Sequence, residues 1–294
     1  MPRINTTVGK NLIGIGDMVS LAWIAEGTRE SPDSISFYAS GGNLRVLKLL
    51  GQDVAEHSDG ERSIEVGKAY EQELEEGGLR LRLDYIRELL NLDTPYLRPR
   101  VKLAPDDLAW ARDIKQQSEA DDLVLLFPQT LWESRAWPAS YWVDLAWQLK
   151  ARNAAPLVVL ANEDKRFTNT PRFIWGFDIN KVAALMSLSA LVIGNDSGPA
   201  HLSGTIGVTT IVACGPTRGS CVFGHIPEVI SLVNDDSPFC AGCHFKAPFR
   251  AACDQGCQAL FALKPHRVLN RAVSELALYS LRRDRPPAGL TPPA

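Results

Sequence analysis

Three short segments carry side chains whose types and spacing could do chemistry, and each follows or contains an apolar run that reads as a strand. The sharpest is Gly194-Asn195-Asp196-Ser197-Gly198-Pro199-Ala200-His201. Ser197 suits a helix N-cap, Pro199 a first turn and Gly207 a helix end. A helix start presents unpaired amides and the positive end of a dipole, which favours an anion, phosphate above all. His201 falls in the first turn, close enough to share that ligand. Asp196 stands at the carboxyl end of the strand, where open α/β sheets bind ligands. The same residues also suit a capped helix with an incidental histidine.

The second segment is Gly14-Ile15-Gly16-Asp17. Its glycines admit close approach to the backbone, and Asp17 is either a helix cap or a general base for a hydroxyl proton. The full glycine fingerprint of a dinucleotide site is not there, so these glycines alone say little. The third runs from Thr130 to Pro138, where Thr130 and Arg135 could bind phosphate through paired guanidinium hydrogen bonds. As a plain loop, the same stretch would leave Arg135 in solvent and use Trp137 as a packing anchor.

A fourth cluster, Cys240-x2-Cys243-x9-Cys253-x3-Cys257, has the spacing of a metal knuckle. Four thiolates would suit structural Zn or Fe, with Cys221 as an alternative ligand, and would leave no open position for catalysis. Reduced thiols, or disulfides formed on isolation, are the plainer alternative.

The elements that must position these groups follow from periodicity. Asn11 to Ile15 reads as a strand, with an apolar helix from Gly16 to about Thr28, a strand over Ser34–Ala39 and a helix from Gly41 to Leu50. Residues 69–92 read as two amphipathic helices broken at Gly77-Gly78, and the proline-flanked stretch Thr94–Pro105 as a connection between domains. The second half alternates clearly. Strands are expected at 122–127, 157–160, 172–175, 191–193 and 209–213, and helices at 138–152, 181–189 and 199–206. The expected division is 1–105 and 106–281, with a Cys-rich insertion at 237–258 and a disordered tail at 282–294.

The chain has 294 residues and a formal net charge of −3, so no global field invites nucleic acid. The apolar stretch Met18–Ala25 is too short to span a bilayer, and a cytoplasmic protein is expected, with peripheral membrane contact and homo-oligomerisation left open.

Together the three segments resemble glycosyltransferase family 9, the heptosyltransferases. The likeness covers most of the chain: an opening strand-Gly-Asp element, a basic-x-Trp-Pro loop at Arg135–Pro138 and an Asp-Ser-Gly-x-x-His helix start at Asp196–His201. Cys214-Gly215-Pro216-Thr217 looks like the Phe-Gly-Pro-Thr turn of the family.

The resemblance implies an α/β fold of two facing Rossmann-like domains, the GT-B type, with the active site in the cleft. It implies inverting transfer of a heptose-like sugar from a nucleotide-diphosphate donor, ADP-heptose favoured, to a saccharide, lipid-linked saccharide or protein acceptor. Asp17 would be the base and Arg135 would neutralise the leaving diphosphate. Asp196 would hold sugar hydroxyls, while Ser197, Gly198 and His201 face the diphosphate. Gly16 and Thr130 would complete the donor site and Glu163 would contact the nucleoside. The chain contains no Asp-x-Asp, so no catalytic metal is expected.

Two departures stand out: the acceptor half is short, and Arg135 replaces the common lysine, which keeps charge but alters geometry. A nucleotide-sugar epimerase of the same fold, and a degenerate non-catalytic assembly protein, are the competing readings.

Overall fold

A computed structural model describes residues 3–5, 14–30, 34–55, 67–118, 120–233, 243 and 256–283. Two parallel sheets organise them. The first has the order β1 (Arg3–Asn5), β2 (Ser36–Tyr38), β3 (Val54–Ala55). Its helices are α1 (Ile15–Gly27) and α2 (Gly41–Leu49), followed by the pair α3 (Gly67–Glu75) and α4 (Arg82–Leu89). The second sheet comprises β4 (Leu123–Phe127), β5 (Ala155–Leu160), β6 (Phe173–Trp175), β7 (Leu191–Asn195), β8 (Thr210–Ala213) and β9 (Val229–Leu232). Its order is β6-β5-β4-β7-β8-β9, all parallel. This is the doubly wound arrangement, and its reversal point lies between β4 and β7, where such sheets open a crevice for ligand.

Buried side chains alternate along β4 with the period of two that a strand imposes. Leu123, Leu125 and Phe127 join a cluster with α1, α2 and α7 (Ile179–Ser187). Val124 and Leu126 face the other way, toward Trp137 and toward Trp142 of α6 (Ala139–Lys150). The first cluster runs without a break from the helices of the first half into those under the second sheet. Its densest helix–helix junction is between α1 and α8 (Gly198–Ile206), where Trp23 Nε1 donates to Thr205 Oγ1 at 2.9 Å.

The chain crosses between the sheets as an irregular strap over 92–104, then enters α5 (Pro105–Gln116). The strap is tied to the helices it passes: Leu97 N donates to Trp23 O at 3.2 Å and Lys102 N to Leu49 O at 2.7 Å. A side chain at Gly27 would stand 1.9 Å from Pro95 O, so glycine is what lets the strap lie against the end of α1.

Several expectations change. Residues 11–13 of the first expected strand lie outside the described residues, and Ile15 opens α1 rather than closing a strand. The sheet does not close at Ala213, because β9 adds an edge strand beside β8. After the small helix α9 (Gly219–Phe223), α10 (Gln258–Ala262) and α11 (Pro265–Arg283) continue the fold. Arg282 and Arg283, expected in a disordered tail, form the last turn of α11. The α11 helix packs on α6 because Val268, Leu269 and Ala272 share one apolar face.

A Cβ at Gly198 would meet Ile15 Cβ at 2.5 Å, whereas one at Gly42 meets nothing within 4 Å. Gly198→Ala is therefore expected to cost about 1–3 kcal/mol in urea unfolding. Gly42→Ala, in an open helical turn, is expected to be neutral or stabilising by up to about 1 kcal/mol. Equal effects from the two substitutions would mean the helix starts are not packed as described.

Candidate functional site

The site lies where α1 and α8 begin. Their first turns touch: a Cβ at Gly16 would stand 2.8 Å from His201 Cδ2, and one at Gly198 would be 3.4 Å from Gly16 N. Two helix starts and two dipole ends therefore point into one crevice, a strong preference for an anion. Ser197 occupies the N-cap position of α8, as expected, but makes no side-chain cap. Its hydroxyl turns back to Asn195 O at 3.3 Å. Gly207, with φ of 102°, closes the helix in the left-handed conformation that suits glycine.

A cleft of about 550 Å³ opens there, walled by the α1 start, by Arg82, and by the loops that follow β4, β5 and β7. Gly16, Asp17, Thr130, Arg135, Asp196, Ser197, Gly198 and His201 all line it. Glu163 does not; it is exposed, and its neighbours Asn162 and Arg166 supply that wall instead. Arg166 is steadied there by Asp164, whose carboxylate it meets at 2.7 Å.

Each charged group has a specific support. Asp17 reaches back to the start of its own helix: Gly14 N donates to Oδ2 at 2.8 Å, and Tyr70 donates its hydroxyl to Oδ1 at 2.6 Å. Arg135 sits in a short 3-10 turn, 3.5 Å from Asp196 Oδ2 and 5.1 Å from the centre of the Trp132 ring. Asp196 is 2% exposed and also accepts a hydrogen bond from Thr217. Burial alone would raise its pKa, but the Arg135 guanidinium, then Thr217, His201 and Arg82, outweigh burial and keep it ionised. His201 is pushed down to about 4, chiefly by burial, so its ring is neutral at physiological pH.

Two residues that the sequence reading gave no role hold the donor-side loops. Buried Asn195 donates through Nδ2 to Pro128 O at 2.7 Å and accepts from Trp137 N at 3.0 Å, pinning both ends of the loop that carries Thr130 and Arg135. Gln129 accepts from Ala161 N at 2.7 Å and donates to Asn162 O at 3.0 Å, joining the loops after β4 and β5. Neither carries a charge, which is why spacing alone did not single them out. Arg82 is a further cleft residue outside the three segments; the amphipathic pattern of 69–92 puts it on an exposed charged helix face, yet it pairs with buried Glu73 at 2.8 Å.

Of the cysteine knuckle, Cys240 and Cys253 lie outside the described residues. Cys257 is buried beside Leu260 and Gly215, and Cys243 is half-buried. Among the described residues no three potential ligands gather. The structure gives Cys221 a different partner from the metal suggested for it: its thiol donates to Glu73 Oε1 at 3.1 Å.

The sequence of residues 56–223 matches the family described as glycosyltransferase family 9 (heptosyltransferase). No curated protein matches the chain. Among solved structures, it is similar to the E. coli ADP-heptose LPS heptosyltransferase II, with 13% identity, a TM-score of 0.67, and 95% of this chain and 100% of that one covered. A glycosyl transferase of family 9 from Veillonella parvula aligns with 15% identity and a TM-score of 0.68 over 94% and 97% of the two chains. The iron-containing dodecameric glycosyltransferase TibC of enterotoxigenic E. coli aligns with 13% identity and a TM-score of 0.67 over 95% and 77%. These likenesses assign the GT-B type of fold.

The buried histidines behind the cleft set an acid limit on stability. His225 lies edge-on to Trp23 at 5.3 Å, neither ring nitrogen has a partner among the described residues, and burial followed by the charges of His201 and Arg82 pushes it down to about 3. An unfolded histidine takes its proton near pH 6.5, whereas the folded His201 and His225 wait until about 4 and about 3. Between those values the unfolded state holds more protons. The stabilisation is thus complete above about pH 6.5 and falls as pH drops, by about 1.4 kcal/mol per pH unit for each histidine. Urea unfolding at several pH values between about 6 and 4.5 is expected to show a shallower slope for His225→Phe. An unchanged slope would assign the acid sensitivity to other groups.

Proposed function

Because the chain belongs to glycosyltransferase family 9 and is a glycosyltransferase of the heptosyltransferase type, we propose that it transfers a heptose-like sugar from ADP-heptose to an acceptor hydroxyl, with inversion. The observation that carries the reading is the meeting of Asp17, Arg135 and the start of α8 in one cleft. The acceptor is a saccharide, lipid-linked saccharide or protein. Lipopolysaccharide is favoured, since it is named for the E. coli heptosyltransferase II.

In the single displacement, the acceptor oxygen bonds to the anomeric carbon as the bond from that carbon to the diphosphate oxygen breaks. Asp17 takes the acceptor proton, and the electron pair of the broken bond leaves with the nucleoside diphosphate. Negative charge builds on that leaving group, where Arg135, Arg82 and the two helix starts supply fixed positive potential. Asp196 is spent on Arg135 and Thr217, so its role is to aim the guanidinium as well as to border the sugar. Neutral His201 fills the floor between the two helix starts, and Gly16 leaves it room. Thr130, Ser197 and Gly198 border the diphosphate, and Arg166 takes the place foreseen for Glu163 near the nucleoside.

The positive charges stand where a divalent ion would otherwise neutralise a diphosphate, so the reading includes no catalytic metal. The four cysteines from Cys240 to Cys257 are a thiolate set suited to structural Zn or Fe, which would supply a rigid knuckle. The proposed setting is the cytoplasm, at most at the membrane surface. Among the described residues no helix is long and apolar enough to cross a membrane. A homo-oligomer fits the reading, and a dodecamer is named for TibC.

Calorimetric titration of ADP, UDP and GDP should give micromolar binding of ADP that weakens at least tenfold in Arg135→Ala. Asp17→Asn should keep that affinity while its turnover with ADP-heptose falls about 10²–10⁴-fold. Binding of none of the three diphosphates would sink the transferase reading in favour of an assembly role. Full turnover of Asp17→Asn would remove Asp17 as the base.

A further inference from the structure

Asp17 is backed by a wall of side chains of which only Arg82 reaches the cleft. Tyr70 and Glu73 lie three residues apart on α3, so both project from one helix face. Tyr70 is absent from the cleft lining, yet its hydroxyl meets Asp17 Oδ1 at 2.6 Å. With Gly14 N on Oδ2 at 2.8 Å, each carboxylate oxygen holds one donor and the plane of the carboxylate is set. Tyr70 is itself braced. The Arg82 guanidinium lies 5.3 Å from the centre of its ring, and Arg82 Nε bonds both oxygens of Glu73 at 3.1 and 2.8 Å. Glu73 is 2% exposed and also receives the Cys221 thiol from α9, on the half of the molecule that carries Asp196.

We propose that Tyr70 is a positioning residue for the base: it fixes the Asp17 carboxylate so that its remaining lone pairs face the acceptor hydroxyl. This rests on Asp17 being the base, as proposed above. A carboxylate tethered at one oxygen alone can turn about its Cβ–Cγ bond, and small errors of aim in a proton acceptor cost rate steeply. Tyr70 is well suited to constant donation. Burial first, then the Asp17 carboxylate, raises its pKa well above the ordinary phenol range, so the proton stays on Tyr70 throughout the working pH. The Arg82 charge opposes this but is outweighed by burial and by Asp17.

A hydroxyl with only a structural role would behave differently. Its loss would loosen the fold and weaken binding, and it would act whether or not residue 17 could accept a proton.

The test is steady-state transfer from ADP-heptose to heptose-deficient lipopolysaccharide by wild type, Tyr70→Phe, Asp17→Asn and the double variant, with ADP affinity measured by calorimetry. Tyr70→Phe is expected to lower kcat about 10–100-fold, with KM for the donor and ADP affinity unchanged. In the Asp17→Asn background the same change should have no further effect, because there is no base left to position. The inference is overturned if Tyr70→Phe keeps wild-type kcat, if its loss appears in KM or ADP affinity, or if the two losses multiply. Failure of the function proposed above is distinguishable, since it appears in wild type as absent transfer and absent ADP binding, and failure of the base assignment appears in Asp17→Asn alone as full turnover.

Discussion

The close contact between the starts of α1 and α8 is the constraint on which the rest of the site depends. A single methyl group has no room there: on Gly16 it would strike the His201 ring, and on Gly198 the Ile15 side chain. The approach sums two dipole ends at one place and sets Asp17, in the first turn of one helix, beside the first turn of the other. It also buries His201 beneath Gly16, so the floor of the cleft is aromatic and uncharged while its walls are ionic. The hydrogen bond from Trp23 to Thr205, further along the same pair of helices, keeps them in register.

Around that contact the charged groups are organised as two arginine–carboxylate pairs. Arg135 leans on Asp196 and Arg82 on Glu73, and both acids are 2% exposed. Burying a carboxylate is costly unless it is paired and hydrogen-bonded, and here each has a second donor as well, Thr217 in one case and Cys221 in the other. The gain is not chiefly stability. Each buried acid fixes an arginine that keeps an edge toward the cleft, so positive potential is present before any ligand arrives and little reorganisation is needed when charge develops.

Much of this was legible in the residues. The helix punctuation at Ser197, Pro199 and Gly207 marks α8 correctly, and the alternation of strands and helices from 122 to 213 gives the second sheet nearly element by element. What escaped depends on tertiary contacts. Asn195 and Gln129 are ordinary amides in sequence and acquire meaning only because folding brings loops 32 to 67 residues apart within hydrogen-bonding reach. Tyr70, Glu73 and Arg82 were read as parts of a solvated amphipathic pair, because a buried ion pair and a surface one look alike in sequence. β9 is short and half-buried at a sheet edge, where alternation is weak. In sequence the Pro- and Arg-rich stretch from Arg282 reads as a tail, which takes in the last turn of α11 although the helix carries a readable apolar face.

The strap over 92–104 gives the contact between α1 and α8 a mechanical meaning. It is anchored to α1 through Trp23 and to α2 through Leu49, so it resists pulling away from the first half. With the chain held there, the tightest junction between the halves is the pair of helix starts, and any turning of one half against the other has its fulcrum at that point. Motion about a fulcrum grows with distance from it. Parts of either half far from that contact would be displaced most. Asp17, lying almost on the axis, would keep its aim while the entrance opens and shuts.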